Sequence, residues 1–102
     1  METAYQLFAK AFSNKTRFEL IRTLGKKTMS VSELCEKTGF EQSRVSHNLK
    51  CLENCGFVTV CRKKNFRLYS LEKSTILPML RLLEKHIKKY EKRLKSCKII
   101  GK

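Results

Sequence analysis

The spacing of apolar residues changes period twice along this chain, and that restricts it to a narrow range of folds. Up to Asn54 the apolar residues recur at helical intervals. Phe57 to Cys61 and Phe66 to Leu71 are instead short runs of β-formers, and from Lys73 to about Cys97 helical spacing returns. One hairpin set among helices predicts a mostly α protein with a small β-hairpin and no extended sheet.

Tyr5, Leu7, Phe8, Ala11 and Phe12 mark a first short amphipathic helix. Ser13 or Asn14 is placed to cap a second, which carries Phe18, Leu20, Ile21 and Leu24 and has Gly25 as its stop. Ser32 is placed to cap a third helix through Thr38, ended by Gly39. A fourth runs from Glu41 to Asn54, with Val45, Leu49 and Leu52 on one face and Gly56 at its end. Arg62 to Asn65 joins the two strands, and Asn65 is the residue there that tolerates positive φ. In the last helix Ile76, Leu80, Leu83, Ile87, Tyr90 and Leu94 alternate steps of four and three, the seam of a packed helix pair. Met79 and Leu82 add a second stripe, so one stripe can face the domain and the other a partner subunit. No repeat, linker or low-complexity tract interrupts the 102 residues, and a single domain is expected over 1–102.

Charge narrows the function. Twenty-three Lys and Arg oppose nine acids, for a net +14. Residues 1–60 hold nine basic and six acidic side chains, whereas residues 61–102 hold fourteen and three. Such a surplus calls for an anionic partner, nucleic acid or a membrane surface. All nine acids are Glu, the two histidines are far apart, and no Gly-rich phosphate loop is present, so no enzyme and no small-molecule substrate are expected. No apolar run is long enough to span a bilayer. Met1 to Ala11 lacks the composition of a secretory signal, so a cytoplasmic location is expected. Five cysteines, an odd number with no such signal, are expected as free thiols.

The third and fourth helices, separated by Gly39-Phe40-Glu41, look like a helix-turn-helix over 30–54. In such a unit the second helix enters the major groove with its N-terminal residues leading. Its candidate contacts are Gln42, Ser43, Arg44, Ser46, His47 and Lys50: Gln and Arg suit base edges, Ser and Lys suit phosphates. The hairpin, 57–71, carries Arg62, Lys63, Lys64 and Arg67 around its tip, as a wing that meets phosphate or the minor groove would. Double-stranded DNA is the expected partner. One alternative is a non-specific or architectural nucleic-acid-binding winged helix resting on phosphate contacts alone. Another is the basic last helix lying on anionic lipid, but its apolar positions follow a seam that a dimer partner would bury, so no membrane role is expected.

The stretch Ala11 to Leu71 resembles the ArsR (ArsR/SmtB) family of winged-helix transcriptional regulators. The resemblance is carried by AFSNKTRFELIRTL (11–24), SVSELCEKTGFEQSRVSHNLKCLENCGFV (30–58) and RLYSL (67–71). SRVSHNL (43–49) is its most specific part, with Ser46 and His47 at the Ser-His pair of the family's recognition helix. The resemblance implies a winged helix-turn-helix with N- and C-terminal dimerisation helices, here 1–12 and 73–98. It implies a homodimer that binds a pseudo-palindromic operator, usually represses, and releases DNA on a signal. Tyr5, Phe8, Phe12, Leu80, Leu83, Ile87, Tyr90 and Leu94 would form the dimer interface. The wing departs from the family pattern, with Lys64 where relatives usually carry glycine near the tip.

The two best-known metal sites of that family are missing. Ser30 and Ser32 stand at the cysteine positions of the first, and of the second, matched by Lys73, Thr75, His86 and Lys89, only His86 survives. Cys51 and Cys55, at i and i+4 on one helix face, together with Cys97, resemble the cadmium- and lead-sensing branch. Those three are candidate ligands for a soft divalent metal. Thiol redox sensing is a second reading, and cysteines packed as small hydrophobes with no signal a third. No cofactor is firmly implied.

Overall fold

Thr3 opens the chain's first helix with a reciprocal cap: Gln6 N–H donates to Thr3 Oγ1 (3.2 Å) and Thr3 N–H to Gln6 Oε1 (2.7 Å). The structure, a computed structural model, describes residues 2–101. Met1 and Lys102, outer residues of the expected 1–12 helix and 1–102 domain, lie outside the described residues. Contacts divide the chain at Glu72 into two compact units, at the junction between the wing and the C-terminal helix.

The first unit holds α1 (Ala4–Ser13), α2 (Lys15–Leu24), α3 (Val31–Thr38), α4 (Gln42–Asn54), β1 (Val58–Lys63) and β2 (Phe66–Leu71). Asn14, not Ser13, is the joint between α1 and α2, and its side chain accepts from Arg17 N–H at 3.0 Å. Gly25 ends α2 while staying right-handed. The cap of α3 is Ser30 rather than Ser32. Glu33 N–H donates to Ser30 Oγ (3.2 Å) and Ser30 N–H to Glu33 Oε1 (3.0 Å), a reciprocal bond that only the residue three before Glu33 can make. The bond from Ser30 N–H, with smaller help from the Ser30 hydroxyl and from Lys27 and Lys37, holds the Glu33 carboxyl below its ordinary range.

Two glycines take a conformation that their positions demand. Gly39, after α3, has φ +79°. Gly56, after α4, has the same φ and lets Phe57 N–H reach Leu52 O (2.8 Å) and Gly56 N–H reach Glu53 O (3.1 Å). That pair of bonds satisfies the last carbonyls of α4 and turns the chain directly into the wing.

The strands pair antiparallel from Val58↔Leu71 to Lys63↔Phe66. β1 therefore runs two residues further than the expected Phe57–Cys61 stretch, and the turn shrinks to Lys64-Asn65. Lys64, not Asn65, takes positive φ (49°). The wing also gains a rung not foreseen: Met29 and Tyr69 exchange backbone bonds of 3.0 and 2.8 Å just before α3. α2 is the central packing element, in contact with α1, α3, α4 and β2. Leu20, Ile21, Leu24, Met29, Leu34, Val45, Leu49, Leu52, Phe57, Tyr69 and Leu71 are buried around it. Phe57 anchors the start of the wing beneath Phe8 of α1, ring centroids 4.9 Å apart.

The second unit is α5 (Ile76–Ser96), with Pro78 in its first turn, where a missing N–H leaves no helical bond unmade. The expected continuous helix is kinked at Tyr90, whose φ −116° and ψ 19° leave the helical region. Ile76 and Leu80 are buried, and the seam opens from Leu83 onward. Leu80, expected at the partner interface, is thus already buried in the single chain. No helix among the described residues is long and apolar enough to cross a membrane.

Lys64 bears a steric cost that glycine would not. A left-handed residue with a Cβ costs about 1–2 kcal/mol, of which glycine's looser unfolded state returns about 0.5–1 kcal/mol. Lys64→Gly is expected to stabilise the protein by about 0.5–1 kcal/mol, read as a higher urea midpoint at unchanged slope.

Candidate nucleic-acid interface

The turn between α3 and α4 is locked by its own side chains. Thr38 Oγ1 donates to Leu34 O (2.7 Å) and accepts from Phe40 N–H (3.2 Å). α4 then leaves with Val45, Leu49 and Leu52 in the core. At about 100° per residue, Gln42, Ser46, Lys50, Ser43 and His47 follow one another round an exposed face beside that stripe. These five of the six expected groove residues are brought together.

Arg44 is exposed as well, but its side chain is engaged. Its guanidinium donates from Nε and Nη2 to Thr16 Oγ1 at 2.9 and 2.6 Å and lies 4.1 Å from the centre of the Phe40 ring. It is a tie from α4 to α2, and a base-reading role would require it to leave those partners. Beside it, Asn48 is buried within the apolar stripe of α4. A buried amide needs partners on both ends. Asn48 Nδ2 donates to Arg44 O (2.9 Å), and its Oδ1 accepts from Arg17 Nη1 (3.4 Å). Arg17 also donates to Ala11 O (3.0 Å) and Lys10 O (3.1 Å), the terminal carbonyls of α1. Thr16, Arg17 and Asn48 were not among the expected site residues. Asn48 alone left a sequence signal, as a polar residue at a core position of a helix.

The wing presents Arg62, Lys63, Lys64 and Arg67, all exposed. None of these, nor Lys50, forms an ion pair among the described residues. Arg62 and Arg67 sit directly opposite each other across the strands. Like charges in that position repel, and an anion between them would relieve the repulsion.

All five cysteines are free. Cys51 and Cys55 do meet on α4. Partial desolvation pushes the Cys55 thiol up from its usual range and the adjoining Cys51 thiol adds to this, against a weaker pull from Arg17. That favours the protonated thiol, whereas a soft metal binds thiolate. Cys97 behaves oppositely: backbone N–H groups of Ile100 and Ile99 lower it. Among the described residues, no group of three or more His, Cys, Asp or Glu is arranged to hold a metal ion. Of the expected interface residues on α1, Tyr5 is 88% and Phe8 39% exposed; Phe8 stacks on Phe12 and Phe57, and Phe12 meets Phe57 at a tilt.

Two helices, a helix-turn-helix and a two-stranded hairpin with a basic tip make a winged helix-turn-helix. Residues 14–60 match the family described as bacterial regulatory protein, arsR family. The probable mercury resistance operon repressor of Streptomyces lividans is 33% identical over 64 residues, 63% of this chain and 51% of the repressor. The HTH-type transcriptional regulator NmtR of Mycobacterium tuberculosis is 32% identical over 71 residues, 70% of this chain and 59% of NmtR. The chain thus spans little more than half the length of these two curated relatives. The transcriptional regulator HlyU of Vibrio vulnificus CMCP6 has a similar structure, with a TM-score of 0.72 at 30% identity, over 79% of this chain and 84% of HlyU. The chain belongs to the arsR family of bacterial regulatory proteins.

Asn48→Ala removes the acceptor that α4 offers Arg17 and the bond back to Arg44 O. It is expected to destabilise the protein by about 1–3 kcal/mol, seen as a lower urea midpoint, and to leave the wing's charge untouched.

Proposed function

We propose that this chain is a sequence-specific, double-stranded-DNA-binding transcriptional regulator that acts as a homodimeric repressor. The observation that carries the reading is the exposed face of Gln42, Ser43, Ser46, His47 and Lys50 on a helix tied at its back by Arg44 and Asn48. Amide and imidazole groups there can address base edges, and Lys50 with Arg62, Lys63, Lys64 and Arg67 can address phosphate. Arg44 acts by fixing the helix. The names of the relatives, a repressor and a transcriptional regulator, support the same role.

Dimerisation is supported by apolar surface left open on two elements. Tyr5 and Leu7 on α1 are exposed, as are Ile87 and Leu94 along the α5 seam, whose Leu83 and Tyr90 are half-buried. A two-fold pair would set two recognition helices one DNA turn apart, roughly 34 Å, which suits a pseudo-palindromic operator.

The test is competition between a duplex selected by the protein from a random pool and a scrambled duplex, at one ionic strength. The selected duplex is expected to bind more tightly, and Gln42→Ala or His47→Ala to lose about 1–3 kcal/mol on it alone. Lys63→Gln should weaken both duplexes alike and lower the salt slope by about one. Equal affinity for both duplexes would favour the architectural, non-specific reading instead.

Ile87→Glu with Leu94→Glu places charge in the proposed dimer seam at positions outside the core. Sedimentation is expected to show a dimer for the wild type and a folded monomer for this variant.

A further inference from the structure

The second unit holds more positive charge than recognition helix and wing can account for. Ten of the 23 basic residues lie at or after Lys73, against only Glu84 and Glu91. They are sorted by face. Arg81, Lys85 and Lys88 advance by steps of four and three and form a ridge on α5 before the kink at Tyr90; Lys92 and Lys95 continue the same spacing beyond it, and all five are exposed. The seam of Leu83, Ile87 and Leu94 lies on the opposite side of the same helix.

Two of the five are answered locally. Arg81 pairs with Glu84 at 3.2 Å and Lys95 with Glu91 at 2.7 Å. Lys85, Lys88 and Lys92 have no carboxylate partner among the described residues. Like charges three and four residues apart weaken a helix. The helix dipole offsets this only within the last turn, which holds Arg93 and Lys95, so Lys85, Lys88 and Lys92 are left uncompensated. A row of repelling cations along a helix is stabilised when a polyanion lies on it.

Duplex DNA fits that row better than lipid. The fourteen steps from Arg81 to Lys95 span at most about 21 Å at 1.5 Å each, with the kink at Tyr90 inside that length. Over that length a duplex offers one charge per about 1.7 Å of axis. On a bilayer the apolar seam would have to enter the lipid. That seam begins with buried Ile76 and Leu80 and has Tyr90, at the kink, as its only aromatic residue.

We propose that the α5 ridge is a second, sequence-independent contact surface for the sugar-phosphate backbone of duplex DNA. It does not depend on base reading by α4, so a failed duplex competition would leave it standing. The test uses the full chain and a triple variant, Lys85→Gln, Lys88→Gln and Lys92→Gln, whose helix propensity is nearly that of Lys. Each is titrated with a mixed-sequence duplex of about 60 base pairs, a length chosen to exceed one helical turn of about 10 base pairs several-fold. The variant is expected to give a slope of log affinity against log salt shallower by about 2–3. In the wild type, the duplex is expected to protect the Lys85, Lys88 and Lys92 amines from acetylation, read by mass spectrometry. Protection should persist in Gln42→Ala/His47→Ala. If the triple variant loses helicity by circular dichroism, wild-type protection decides alone. Unprotected amines with an unchanged slope would overturn the proposal. So would protection by phosphatidylglycerol vesicles but not by DNA.

Discussion

The guanidinium of Arg17 holds three helices in one place. From α2 it donates to the Lys10 and Ala11 carbonyls at the end of α1 and to the Asn48 side chain on α4. Helix-terminal carbonyls have no partner within their own helix, and a charged donor answers them more strongly than a neutral one. Asn48 passes the connection to Arg44 O, and Arg44 returns it to Thr16, the neighbour of Arg17. The loop closes, so α4 cannot rotate without breaking bonds to α2 and, through Arg17, to α1.

That closure gives α4 three separate tasks on one cylinder. One side supplies core leucines and Val45, a second supplies the ties, and the third is left for Gln42, Ser43, Ser46, His47 and Lys50. The wing follows at once because Gly56 turns the chain within one residue and Phe57 seats it beneath α1. A basic hairpin next to a fixed helix is the arrangement that DNA recognition needs. Any change at Cys51 or Cys55 would act on this same helix, close to Arg17.

Much of this was legible in the residue order. The hairpin, the seam of α5 and the two left-handed glycines follow from local chemistry. The apolar pattern misplaces the cap of α3 at Ser32; Glu33, three residues after Ser30, completes the reciprocal bond at Ser30 instead. The turn was also less legible: Asn65 is the better left-handed residue, yet pairing of Lys63 with Phe66 leaves Lys64 at the position that must bend. Register across the strands outweighed the preference of one residue.

The sequence by itself determined which segments are helix and strand, because helical and strand periodicities act over three or four neighbours at most. It also determined the excess of positive charge and its concentration in the second half. Only the tertiary structure decided what the polar residues of α4 do. Arg44 and Asn48 look from the sequence much like Gln42 and His47. They are turned to structural work by Thr16 and Arg17, 28 and 31 residues away in the chain. The burial of Leu80, alike in sequence to the exposed Ile87, was likewise settled by packing and not by pattern.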